Sequence, residues 1–281
     1  MAQPVSDFFA AWELFREPAL AGAVAGALLG WVGVYVALRR MVFLSAAMTQ
    51  TAGLGVMAAQ WAAAAFALSG LAASPTLWAL CFAGIAATAL ASSEALRLGR
   101  DQVLGSLYLL GAAGAILIGS KVAVDAHDVE TVLFGSAVAV APEDFHRLVG
   151  TAAGLLLLHL WLRRGFVAAA FDTEAAAARR IPVRGLQTVL LATVALAVSV
   201  STRTIGALPV FAFSTLPALA AARLCRSLRT TFAAAAMLGA LAGFGGYLAA
   251  FVWELPVGAS QTVVALLCFV VADLFRRLLR R

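Results

Sequence analysis

Nine apolar runs dominate the sequence, and they limit the chain to a small set of folds. They lie at residues 18–38, 47–69, 75–93, 103–120, 145–162, 186–202, 205–222, 231–252 and 257–275. A helix needs about 20 apolar residues to cross the hydrocarbon core of a bilayer. Because 63% of the 281 residues are hydrophobic and only 12% are charged, a soluble fold could not bury the apolar surface. The runs predict an all-α, polytopic transmembrane helical bundle of eight or nine spans, with residues 1–281 forming one domain.

The basic residues predict how this bundle is oriented. If the N-terminus lies outside, all of the 20 Lys and Arg residues except Arg16, Lys121, Arg147 and Arg203 fall in cytoplasmic loops or the C-terminus. Cytoplasmic loops are enriched in Lys and Arg. We therefore predict an outer N-terminus and a cytoplasmic C-terminus. The outer loops are acidic by contrast, which would attract cations, although acidic residues are also simply tolerated on that side.

Polar residues interrupt or open three of the runs. They are Thr49, Gln50 and Thr51 in the second run, Ser214, Thr215 and Pro217 in the seventh, and Ser260 and Gln261 in the ninth. Polar side chains inside a span usually face a pathway or a partner helix, and broken helices often line transport cavities. We identify these as candidate substrate-pathway residues, with helix packing as the alternative. The short polar interval 201–206 predicts that the sixth and seventh runs form an interrupted pair or a partly re-entrant segment.

Small residues recur at helix-packing spacing in two further runs. The first run contains Gly22, Gly26 and Gly30, and the eighth contains Gly239, Gly243 and Gly246. Glycines spaced in this way allow two membrane helices to approach closely. They predict tight helix packing and carry no information on substrate.

The longest charged interval, about residues 163–185, separates the fifth run from the sixth. Its charged and helix-ending residues include Asp172, Glu174, Arg179, Arg180 and Pro182. An acidic start and a basic end favour a short helix, and a proline would end it. Two interpretations remain open. The interval is either a cytoplasmic coupling segment, through which a soluble partner acts on the spans, or a solvated connecting loop.

Metal-ligating side chains cluster in the longest predicted outer loop, at Asp125, His127, Asp128 and Glu130. Carboxylate and imidazole groups are common metal ligands. The four are crowded into six residues of a single loop, and no second cluster completes a site. They are weak candidates for a metal site, with a solvated polar loop as the alternative.

Catalysis and nucleotide binding are not predicted for this chain. Residues 114–121 (GAILIGSK) approach a phosphate-binding loop, but Ser120 separates the glycine from Lys121. The spans offer no Ser/His/Asp or Cys/His set. The formal charge of +6 follows from the distribution of arginines between loops and does not indicate nucleic-acid binding. We therefore expect a non-enzymatic chain that binds no cofactor, and any ATP used would be hydrolysed by another subunit.

Five motifs in order resemble one family along the whole chain. They are GVYVALRRMVFLSAAMTQTAGLGV (33–56), LFGSAVAVAPEDF (133–145), FDTEAAAARRIPVRGL (171–186), IGALPVFAFSTLPALAAARLCRSLR (205–229) and ELPVGASQTVV (254–264). They resemble the permease subunit of ATP-binding-cassette importers for zinc, manganese and iron. The resemblance implies a multi-pass protein of a bacterial-type plasma membrane in contact with lipid. It also implies a second permease copy or related permease, a cytosolic ATPase docked on residues 171–182, and an extracytoplasmic substrate-binding protein.

The chain departs from the family pattern where a metal would be held. The family usually carries Asp and His at the positions of Ala46 and Gln50, and Asp at the position of Ser136. It also usually has Glu at the position of Arg100. An amide binds a transition metal more weakly than imidazole or carboxylate does. The expected cargo is therefore a divalent metal or its chelate. Alternatives are a divergent permease with another cargo, an ion-coupled secondary transporter, and a membrane scaffold without transport activity.

Overall fold

The computed structural model describes residues 2–39, 41–92, 99–121, 140–171 and 182–279. It contains α1 (Ala2–Ala10), α2 (Trp12–Leu38), α3 (Val42–Phe66), α4 (Pro75–Ser92), α5 (Arg100–Gly119), α6 (Pro142–Phe171), α7 (Val183–Ile205), α8 (Ala207–Phe213), α9 (Leu216–Leu224), α10 (Leu228–Trp253) and α11 (Val257–Leu278). A 3₁₀ turn, Gly70–Ala73, precedes α4. The described residues contain no strand, which confirms the predicted all-α bundle.

The number of spans also agrees with the sequence pattern. Eight helical segments in the described ranges are long and apolar enough to cross a membrane, with α8 and α9 counted together. The helix α4 is a shorter apolar segment. The predicted eight or nine spans are therefore confirmed. The orientation of the termini stays a prediction.

The helix α3 lies at the centre of the bundle. In its most apolar stretch 83% of the residues are buried, against 17% in α6. Leu44, Met48 and Val56 of α3 belong to the main hydrophobic core. The polar residues of α3 are therefore held among packed helices, whereas most of α6 is free to face lipid or another subunit.

The two glycine series pack against each other and bring α2 and α10 into close contact. Gly22, Gly26 and Gly30 of α2 face Gly243, Gly239 and Ala235 of α10. A methyl group on Gly26 would overlap the carbonyl oxygen of Gly239, and one on Gly239 would overlap that of Gly26. The prediction of tight helix packing is confirmed. Gly246 instead faces the backbone of Gln261 in α11.

Two breaks divide the segment that follows α7. Gly206 separates α7 from α8 with φ 87° and ψ 165°, a backbone conformation that is essentially restricted to glycine. A turn at Ser214 and Thr215 then separates α8 from α9. The predicted interruption of the seventh run by Ser214, Thr215 and Pro217 is confirmed, with Pro217 in the first turn of α9.

The helix α6 is longer than the apolar run that predicted it. The run ends at residue 162, whereas the helix continues to Phe171. Five of the nine residues in this extension are arginine or alanine, and both are strong helix formers. The first part of the charged interval is thus continuous with a span.

Candidate transport pathway

Thr49 and Thr51 of α3 are buried, and their hydroxyls are bonded within their own helix. The hydroxyl of Thr49 donates to the carbonyl of Ser45, and that of Thr51 donates to the carbonyl of Ala47 at 2.9 Å. Gln50 is only partly buried. The backbone of Gln50 and Thr51 lies against Gly111 of α5, where a methyl group would collide with it. Of the three, Gln50 is the side chain with an accessible surface.

The second polar group lies at the break between α8 and α9. The Ser214 hydroxyl donates to the carbonyl of Phe211 at 2.8 Å, and the Thr215 hydroxyl donates to the same carbonyl at 3.0 Å. Gly33 of α2 lies against the carbonyl of Ser214. The two hydroxyls therefore replace backbone hydrogen bonds at the end of α8, which allows the helix to end inside a packed bundle.

The third group opens α11 beside the glycine contact of α2 and α10. The amide nitrogen of Gln261 donates to the carbonyl of Gly243 at 3.0 Å. The amide oxygen of Gln261 and the hydroxyl of Ser260 are buried without a hydrogen-bond partner among the described residues. A buried polar group without a partner is costly, unless water or a ligand reaches it.

The second and third groups lie apart from each other in the bundle. No hydrogen bond between described residues links them. Gln261 contacts α2 near Gly22, whereas Ser214 contacts α2 at Gly33. Eleven residues of helix separate these contacts, which corresponds to about 16 Å. The second and third groups therefore form separate polar positions along α2, and the role of all three groups as pathway residues stays a prediction.

Additional buried hydroxyls were not among the predicted pathway residues. Ser45, Ser201 and Thr202 are buried, and their hydroxyls have no partner among the described residues. Ser201 and Thr202 belong to a hydroxyl-rich stretch of α7, residues 199–204. The overlapping interval 201–206 (STRTIG) predicts only an interrupted pair of runs or a partly re-entrant segment. The density of hydroxyls in a span is the signal that could have identified them.

An ion pair ties α6 to α7 at the predicted outer end. The carboxylate of Asp144 lies 3.1 Å from the guanidinium of Arg203 and 3.3 Å from that of Arg147. Asp144 is therefore neutralised by cationic partners, so its contribution to an acidic outer mouth is smaller than the sequence alone suggests.

The predicted metal ligands Asp125, His127, Asp128 and Glu130 lie outside the described residues. In the described ranges, no group of three or more His, Cys, Asp or Glu side chains is arranged to hold a metal ion. His146 contacts the carbonyl of Pro142 in its own helix.

His159 faces the neighbouring helix α7. It is fully buried, and its Nε2 lies 2.9 Å from the hydroxyl of Thr193 in α7. The rings of Tyr35 and Phe166 contact it edge to face, each with centroids 5.3 Å apart. This cluster joins α2, α6 and α7, and its residues pack against one another.

The coupling segment is described only at its two ends. Asp172, Glu174, Arg179 and Arg180 lie outside the described residues, as does Ser136. Pro182 immediately precedes α7, and its carbonyl accepts from the amide of Leu186 at 3.0 Å. Near the other end, the Arg39 guanidinium donates to the carbonyl of Ala169 at 3.5 Å. Burial, and secondly the charge of Arg100, lower the pKa of Arg39. The segment thus begins beside the end of α2.

Comparison with known proteins agrees with the resemblance seen in the sequence. The family model described as ABC 3 transport family matches residues 11–276. The uncharacterized membrane protein slr2045 of Synechocystis is 26% identical over 95% of this chain and 92% of its own length. The manganese transport system membrane protein MntC of Halalkalibacterium halodurans is 24% identical over 96% of this chain and 89% of its own length. The solved structure of PsaBC from Streptococcus pneumoniae, in complex with Fab, has the same fold. Its TM-score is 0.84 at 22% identity, with 95% of each chain covered.

Proposed function

Because the chain belongs to the ABC 3 transport family, we propose that it is the membrane-spanning permease subunit of an ATP-binding-cassette importer for a divalent metal ion. The observation that carries this proposal is the family match over residues 11–276, which includes nearly all of the segments able to span a membrane. The protein would work in a bacterial-type plasma membrane. A separate cytosolic subunit would hydrolyse ATP.

The proposed assembly contains two permease copies, or this chain and a related permease. Two ATPases would contact residues 171–182, and an extracytoplasmic binding protein would deliver the cargo to the outer loops. The peripheral position of α6 leaves a large apolar face for lipid or a second copy. Alternating access would follow from rigid-body movement of the helices.

Manganese is the proposed cargo, because the candidate pathway offers hydroxyl and amide groups rather than imidazole or thiolate. Oxygen donors and retained water suit Mn²⁺, whereas imidazole and thiolate favour Zn²⁺. Ala46 is buried, and among Thr49, Gln50 and Thr51 of α3 only the side chain of Gln50 has an accessible surface. The manganese transport role of MntC supports the same choice. A metal chelate or a different cargo is the second candidate, favoured by the loss of Asp and His at these two positions.

An ion-coupled secondary transporter fits the chain less well. Such a protein needs an acidic side chain near the middle of a span to bind the coupling ion. In the described spans the carboxylates lie near helix ends, as Glu13, Asp101, Asp144 and Asp273 do. ATP-driven transport by a partner subunit does not need such a group.

The coupling segment provides a direct test of the ATPase assignment. We expect Glu174→Arg combined with Arg179→Glu to abolish uptake while the spans stay folded, because it reverses the charges that would face the ATPase. The matched control is Glu13→Arg with Arg16→Glu, which reverses an exposed ion pair of 3.0 Å on the predicted outer side.

Both variants conserve net charge, so they separate coupling from a general effect of charge. Uptake of ⁵⁴Mn²⁺ and ATP hydrolysis would be measured in vesicles that contain the complete complex. Loss of uptake in the first variant alone supports the proposal. Normal uptake in that variant would contradict the assigned coupling segment.

A further inference from the structure

A pocket of about 380 Å³ lies between the end of α6 and the start of α10. Its cationic lining consists of Arg163 and Arg164 from α6 and Arg229 from α10. Its apolar lining includes Val167, Ala168 and Phe232. On α6 each arginine is followed four residues later by an apolar lining residue, so both kinds of group lie on one helix face. The lining of the pocket therefore has a cationic part, formed by the three arginines, and an apolar part beside it.

The three guanidinium groups have no counterion among the described residues. No ion pair joins any of them to a described carboxylate. Arg164 and Arg229 are exposed, and Arg163 is partly exposed. Arg229 also lies in the first turn of α10, which begins at Leu228 after the cap Ser227. The positive end of a helix dipole repels a cation there, and an anion in the pocket would relieve this repulsion.

The apolar runs beside the pocket indicate that it lies at the depth of lipid headgroups. The apolar run of α6 ends at residue 162 and that of α10 begins at residue 231, so the arginines directly border both membrane segments. Trp161, two residues before Arg163, is 81% exposed. Exposed tryptophans are typical of the boundary between the hydrocarbon and headgroup layers. By the predicted orientation this boundary is the cytoplasmic one.

We propose that this pocket binds an anionic phospholipid. Its phosphate would contact Arg163, Arg164 and Arg229, and the first part of its acyl chains would lie along Val167 and Phe232. Guanidinium groups bind phosphate through paired hydrogen bonds, and basic pockets between membrane helices bind anionic headgroups. The inference goes beyond the proposed transport function and does not depend on it.

The test compares lipid binding to the full-length purified chain by native mass spectrometry. Phosphatidylglycerol is titrated against phosphatidylcholine of the same acyl composition. The pocket variant is Arg164→Gln with Arg229→Gln. The control is Arg184→Gln with Arg226→Gln, which removes the same charge from exposed residues outside the pocket.

A second variant, Ala168→Trp, fills the pocket without changing charge, and its folding is checked by thermal unfolding. We expect the wild-type chain and the control to prefer phosphatidylglycerol. The pocket variant should lose about 30-fold in affinity, since each basic residue near an anionic surface contributes about fivefold. Ala168→Trp should also lose the bound lipid.

Two results would overturn the proposal. One is equal binding of phosphatidylglycerol and phosphatidylcholine by the wild-type chain. The other is an equal loss in the pocket and control variants, which would show general electrostatic attraction without a bound lipid.

Discussion

At the residue scale, the contact between α2 and α10 depends on glycines that have no space for a side chain. The carbonyl of Gly239 occupies the position that a methyl group on Gly26 would need. Small residues at this spacing are visible in the sequence, so the close contact could be predicted. The pairing of the two glycine series could not be predicted, because the spacing of glycines within one helix does not identify the helix that it packs against.

We expect Gly26→Ala to destabilise the protein by about 1–3 kcal/mol, since the added methyl group overpacks a backbone contact. Gly53→Ala is the matched control, because Gly53 is also buried in a helix but a methyl group there meets no atom within 4 Å. The control should be neutral or stabilising by about 0.4–1 kcal/mol. Thermal unfolding in detergent measures both. Equal melting temperatures would contradict this account of the contact.

A substitution of the single residue Gln50 tests the proposed cargo. Gln50→His introduces an imidazole, which favours zinc over manganese. We expect zinc to inhibit ⁵⁴Mn²⁺ uptake about tenfold more strongly, equivalent to about 1.4 kcal/mol of added binding free energy. Gln50→Asn is the control, because it keeps the amide. Unchanged zinc sensitivity in the histidine variant would show that Gln50 does not contact the cargo.

At the element scale, the breaks around α8 are the part of the fold that the sequence predicted only in outline. The polar interval 201–206 indicated an interruption, but α7 continues through Ile205 and the chain turns at Gly206. Thr202 and Thr204 remain helical because tertiary packing outweighs their weak helix propensity. The second break follows from Ser214, Thr215 and Pro217, whose side chains compete with or prevent helical hydrogen bonding.

Gly206→Ala should destabilise the protein by about 1–3 kcal/mol, because the backbone at φ 87° and ψ 165° strains any residue with a Cβ atom. Gly185→Ala is the control, since Gly185 lies in α7 and a methyl group there meets no atom within 4 Å. Thermal unfolding and the yield of monodisperse protein measure the difference. If alanine is tolerated equally at both positions, the break does not require glycine.

At the scale of the whole molecule, composition and the lengths of the apolar runs were sufficient to predict a helical membrane bundle. The candidate pathway was harder to predict, because a hydroxyl in a span can bond to its own helix or face a cavity. Thr49 and Thr51 do the former, whereas the hydroxyl of Ser201 is buried without a described partner. Sequence spacing alone does not distinguish these cases.

The arrangement of polar groups in the whole molecule bears on what the chain would contribute to transport. Two of its polar groups, at Ser214 and at Gln261, lie at separate positions along α2, and the described residues hold no group of three or more metal-ligating side chains. In the proposed function, the divalent ion would pass along hydroxyl and amide groups, and a partner ATPase would supply the energy. In this account the permease passes the metal without retaining it.

The most direct test is whole-cell elemental analysis of a strain that lacks the gene, grown in metal-poor medium. The account predicts a selective fall in cellular manganese that the intact gene restores and that the Glu174→Arg, Arg179→Glu variant does not. An unchanged content of manganese, zinc and iron in the deletion strain would contradict the assignment as a metal permease.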